Sequence, residues 1–103
     1  MQSQYAEQFD REMGCTQAEW LGWLPAALGE AAYVLEEGRI QAKIVTGHST
    51  GHLVITWHTG EPRRIALFKI PCLHVSFRFE GLDDAQRYVF MKRFDLYMQR
   101  GGG

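Results

Sequence analysis

The chain has 103 residues, 46% hydrophobic and 22% charged, which fits one small globular domain that can bury about two-thirds of its unfolded surface without staples. Two cysteines, Cys15 and Cys72, with no CxxC or CxxH companion exclude a disulfide framework and a zinc-finger motif. The formal charge of −1 hides a split, since residues 1–37 carry one base against seven acids and residues 38–103 ten bases against five acids.

That split predicts an acidic helical start lying against a basic sheet and helix. It also makes an acidic protein or nucleic acid a partner class to weigh. No apolar run approaches the ~20 residues of a membrane span. The N-terminus has neither the basic nor the apolar part of a secretory signal, so a cytoplasmic protein without membrane attachment is expected.

Taken in order, Tyr5, Phe9 and Met13 recur every fourth residue and predict a short helix ended by Gly14. Thr16-Gln17-Ala18-Glu19 matches a capping box and opens a second helix carrying Trp20, Leu21, Trp23 and Leu24. Pro25 is expected to break or kink it. From Ala31 the period becomes two. Runs at 31–35, 40–44, 53–57, 65–70 and 73–79, separated by turn residues, predict a five-stranded antiparallel meander. Asp83 or Asp84 then caps a long C-terminal helix ending near Arg100, before Gly101-Gly102-Gly103, a glycine tail expected to be disordered. The expected fold is therefore α+β over residues 1–100: two short N-terminal helices, a five-stranded meander, and a long C-terminal helix packed on one sheet face.

Pairing consecutive runs predicts a register with Leu35 opposite Ile40, Ile44 opposite Ile55, Ile55 opposite Ala66, and Phe68 opposite Val75. One face then collects Tyr33, Leu35, Ile40, Ala42, Ile44, Leu53, Ile55, Trp57, Ala66, Phe68, Val75, Phe77 and Phe79. Arg64 falls on its rim, where it would stack on Trp57 and Phe79. The other face holds Val34, Val45, Val54, Ile65 and Leu67, more aliphatic surface than a solvated face needs. The N-terminal helices or a second chain are expected to cover it. The C-terminal helix carries a main stripe of Phe90, Met91, Phe94, Tyr97 and Met98. A second stripe of Ala85, Val89 and Leu96, interrupted by Lys92, lies opposite.

Motifs with chemistry are sparse. Gly47-His48-Ser49-Thr50-Gly51 matches G-x-S-x-G, but a strand follows it where a nucleophile elbow needs a helix. Among the four histidines, His52 and His74 share a face and are the candidate metal or small-ligand pair, with Lys69 between them disfavouring a cation. Cys72 and His74, two apart on a strand, would lie about 6–7 Å from each other, too far for proton transfer. No cofactor motif and no catalytic constellation is present. Arg63, Lys69 and Arg78 are the nucleic-acid candidates on the sheet rims. The expectation that follows is a non-catalytic interaction protein, homodimeric through Ala85, Val89 and Leu96 of the helix or through Val54, Ile65 and Leu67 of the outer sheet face. Single-stranded nucleic-acid binding is the alternative.

Overall fold

The computed structural model describes residues 4–100, so the predicted glycine tail at 101–103 lies outside the described residues. Its elements in chain order are β1 (Gln8–Met13), α1 (Gln17–Leu28), β2 (Ala32–Glu36), β3 (Arg39–Thr46), β4 (Ser49–Thr59), β5 (Arg63–Ile65), β6 (Phe68–Ile70), β7 (Leu73–Glu80) and α2 (Asp84–Arg100). The fold is α+β, with an antiparallel five-stranded sheet in the order β1-β7-β4-β3-β2 and a C-terminal helix on one of its faces. β5 and β6 form a separate two-stranded ribbon.

The first predicted helix is a strand. Phe9 pairs with Phe77 and Met13 with Leu73, so β1 forms one edge of the sheet. Spacing of four residues satisfies a period of two as well as one near 3.6, and the residue that would have decided between them is Arg11. It shares the inward face with Phe9 and Met13, its guanidinium over the Phe9 and Phe77 rings and bonded to Asp95 at 2.7 Å. A charged side chain on the inner face made the strand read as an amphipathic helix.

The second predicted helix forms as α1. Thr16 Oγ1 accepts from the Glu19 N–H at 3.1 Å while the Thr16 N–H donates to Glu19 Oε1 at 2.9 Å. Pro25 does not end it, and the helix runs on to Leu28. Its C-terminus is closed from outside the helix. Arg93 of α2 donates to the carbonyls of Ala26 at 3.2 Å and Ala27 at 3.0 Å. The guanidinium lies across Gly29, where a Cβ would sit 2.6 Å from it.

The predicted 65–70 strand folds on itself. Ile65 pairs with Phe68 across Ala66-Leu67, with Ala66 at φ 55, and the ribbon leaves the sheet. Inside the sheet this run would have put Arg64 on the core rim; Arg64 instead lies exposed opposite Lys69. Its departure lets β4 pair directly with β7, matching Leu53 with Phe79, Ile55 with Phe77 and Trp57 with Val75. Two long strands gain eight pairs in place of a short run with a cation at each end. The β3–β4 register also shifts: Ile40, rather than Ile44, faces Ile55, because Gly47-His48 makes a tight turn between Thr46 and Ser49. A shift of an even number of residues keeps every side chain on its face.

The inner face therefore survives in large part. Ile40, Ala42, Ile44, Leu53, Ile55, Trp57, Val75, Phe77 and Phe79 are buried, whereas Tyr33, Leu35, Ala66 and Phe68 are exposed. Both helices cover this face. Trp20 meets Trp57 and Phe94 edge-on, Phe94 meets Phe77 at 90°, and Phe90 meets Phe79 at 80°. Asp83 and Gln86 cap α2 reciprocally, and Gln86 Nε2 holds Thr46 Oγ1 at 2.9 Å, fixing where the helix begins over the sheet. No helix among the described residues is long and apolar enough to cross a membrane.

Candidate functional site

With both helices on the inner face, the outer face of the sheet is a row-by-row display of its even-phase residues. The register places Glu12, His74 and His58 in one row, Asp10, Ser76, Thr56 and Arg39 in the next, and Gln8, Arg78, Val54, Gln41 and Val34 in a third. A fourth row holds Glu80, His52, Lys43 and Ala32. The face carries both signs, with Asp10, Glu12, Glu36 and Glu80 among Arg39, Lys43 and Arg78.

The first row is the chemically densest part. The His58 and His74 rings stack with centroids 5.0 Å apart. Glu12 Oε1 lies 3.8 Å from His74 Nδ1, and Glu12 Oε2 is held by Arg63 of β5. On the other side of the ring, His74 Nε2 is 4.0 Å from Cys72 Sγ. That separation corrects the 6–7 Å expected from strand spacing. Cys72 precedes β7, in the connection after Pro71, and its side chain is free of the strand's repeat. Gly60 completes the wall: its N–H donates to the Cys72 carbonyl at 2.9 Å, and a Cβ there would overlap the His74 ring. A cleft of ≈ 330 Å³ opens beside the row, lined by Asp10, Arg11, Glu12, His58, His74 and Ser76.

The arrangement brings a thiol, an imidazole and a carboxylate together in sequence. The Gly60 N–H, the amide at hand, already donates to a carbonyl and is not free to hold an oxyanion. Cys15 is buried nearby, its thiol pushed up by burial and by the charges of Glu19 and Cys72, which keeps it protonated.

The other residues singled out from the sequence are scattered. His52 lies beside Glu80 and Lys43, and His74 beside His58, six β7 positions away, so the structure does not bring His52 and His74 together. Six strand residues span roughly 20 Å. Lys69 lies on β6, outside the sheet, rather than between them. Arg63 is paired with Glu12, and Arg78 Nε lies 3.7 Å from Glu80 Oε1. Ala85, Val89 and Leu96 face solvent on α2, and Ile65 and Leu67 are exposed on the ribbon. Val54 is buried within its row. Sequence reasoning missed His58 as the partner of His74 and Glu12 as the third member. Each depends on β7 having β1 and β4 as neighbours, which adjacency in sequence does not suggest.

It also placed Tyr33 and Leu35 of β2 on the buried face. All five β2 residues are exposed, including Tyr33 at 41%, Val34 at 65% and Leu35 at 52%. The helix layer stops short of this strand. It leaves a broad groove lined by Leu28, Ala31, Ala32, Ile44, Val45 and Phe90. Comparison with known proteins adds no relative: no family model, curated protein or solved structure matches this chain.

Proposed function

We propose that this chain is a small non-catalytic interaction protein of the cytoplasm that works as a homodimer, with two copies joined along β2. The observation that carries the reading is the exposed, largely apolar edge Ala32-Tyr33-Val34-Leu35-Glu36, with its second side unpaired in the sheet order. An unblunted edge of this kind is a template for another strand. Antiparallel pairing of an edge with its own copy is isologous and closes as a two-fold dimer.

Centred on Val34, the pairing sets Tyr33 of each copy beside Leu35 of the other on the inner side. This covers the apolar strip that the helices leave bare. On the outer side Glu36 falls next to Ala32 of the other copy, whose row neighbour is Lys43. Glu36 is paired with Arg39 of its own copy at 2.9 Å, so on this side the two copies meet without a new ion pair. The α2 stripe is the weaker surface, because Lys92 separates Val89 from Leu96.

Sedimentation of the full chain at ~100 µM is the direct test, since a dimer with a dissociation constant of about 1 µM is mostly assembled there. A dimer that Val34→Lys converts to monomer, while Val89→Lys/Leu96→Lys does not, is expected. A monomeric wild type ends this reading, and loss of the dimer only in the helix variant moves the interface to α2. The single-stranded nucleic-acid alternative is the weaker, because the sheet aromatics Trp57, Phe77 and Phe79 are buried under the helices and cannot stack on bases.

A further inference from the structure

At the opposite edge of the sheet from β2, we propose that Glu12, Cys72 and His74 form a binding site for a borderline divalent cation, Zn²⁺ foremost. One donor atom from each residue can be chosen so that all three lie within 4.8 Å of one another. Tetrahedral Zn²⁺ with bonds of about 2.0–2.3 Å sets its donors about 3.4–3.6 Å apart. Closing the 4.0 Å between Cys72 Sγ and His74 Nε2 to that value needs about half an ångström, whereas Glu12, which lies toward Nδ1, must swing round the ring to join them, by more than the tenths that suffice for the thiol. The three residues come from β1, from the β6–β7 connection and from β7, so the site exists only when the sheet is assembled.

The surroundings hold the donors in place. Gly60 packs against one part of the His74 ring and His58 stacks on its face, which leaves the imidazole little freedom. Arg63 takes Glu12 Oε2 and so turns Oε1 toward His74. Preoriented ligands of this kind raise metal affinity, and the outer groups that orient them contribute about 10–100-fold. Arg63 also opposes the cation by charge. The Cys72 thiol loses its proton to solvent on binding, so two anionic ligands face Zn²⁺ and Arg63 together.

The donor set selects the class of cation. A thiolate and an imidazole suit Zn²⁺ and disfavour Mg²⁺ and Ca²⁺, which require oxygen ligands. Three protein ligands leave a fourth position open. Glu12 and His74 side chains are 43% and 40% exposed, and the cleft beside them gives the ion a route in.

The test is titration of the full chain with Co²⁺ as a spectroscopic stand-in, followed by displacement with Zn²⁺. One equivalent of Co²⁺ is expected to produce thiolate-to-cobalt charge-transfer absorption that Zn²⁺ removes and excess Mg²⁺ does not. Cys72→Ser is expected to abolish the band, Glu12→Gln to weaken Zn²⁺ binding about tenfold or more, and Cys15→Ser to change neither. Circular dichroism checks the fold of each variant. Should Cys72→Ser unfold, His74→Gln takes its place, with at least tenfold weaker binding expected. A wild type without the band, or a folded Cys72→Ser protein that retains it, overturns the proposal. So does a folded His74→Gln protein that binds Zn²⁺ as tightly as wild type.

Discussion

Tyr5 shows how a single residue ties the sheet edge to the last helix. Its hydroxyl donates to Asp95 Oδ2 at 2.7 Å, its carbonyl accepts from the buried Arg87 Nε at 2.9 Å, and Arg11 reaches the other Asp95 oxygen. Burial first, and then the bond to Asp95, push the phenol up to about 12 from its ordinary 10.0. The folded state holds this proton more tightly than the unfolded chain. The stability it contributes is full below pH 10 and is lost as the pH rises from 10 to about 12. Urea midpoints across that window are expected to fall by an amount equivalent to about 2 kcal/mol. Tyr5→Phe should flatten that part of the profile. Arg93 plays a comparable part for α1, and Arg93→Ala is expected to cost about 1–2 kcal/mol by thermal melting, because two carbonyls at the helix end lose their donor. Gly29→Ala should cost a similar amount or more, since Gly29 sits at φ 66 beneath that guanidinium. The Thr16 cap could be read directly from Thr-x-x-Glu. The cap from Arg93 could not, because nothing in the local sequence of α1 points to a residue so far along the chain.

At the level of elements, strands whose neighbours in space are their neighbours in sequence were legible. β2, β3 and β4 follow one another through Glu37-Gly38 and Gly47-His48, and periodicity with turn residues is enough to assign them. β1 and the β5–β6 ribbon were not legible. β1 draws its strand character from a partner at the far end of the chain, and the ribbon turns at Ala66-Leu67, which carries no glycine, asparagine or proline signal. The turn places Ala66 at a left-handed φ that a β-branched side chain tolerates poorly. Ala66→Val is therefore expected to lower stability by about 1 kcal/mol or more in urea melts. Leu67→Lys, at a fully exposed tip, should change it by less than about 0.5 kcal/mol. The candidate site inherits the same limits. His74 could be singled out from the sequence, but Glu12 and His58 become its neighbours only through β1 and β4.

For the whole molecule, placing both helices on one face leaves the other to be read as a surface. Its mixture of acids and bases does not make the single-signed field that draws nucleic acid. Uncovered apolar side chains gather at β2 (Tyr33, Val34, Leu35) and on the β5–β6 ribbon (Ile65, Leu67, Phe68), and of the two only β2 is an edge of the five-stranded sheet. If the dimer forms there, melting temperature must rise with protein concentration, because association stabilises the folded chain by mass action. Val34→Lys is expected to remove that dependence while leaving the dilute-limit melting temperature nearly unchanged.

The pairing of β1 with β7 has a kinetic consequence. The β2-β3-β4 block consists of local hairpins and can assemble as soon as its own residues are available. β1 must wait for a strand near the other end of the chain, and such non-local closure is slow. Like β2, it joins the sheet through one neighbour, so it can detach without breaking the rest. In hydrogen exchange its amides should open before those of β4. Detachment would carry Glu12 away from His74, so a cation held there would act as a latch on this edge strand.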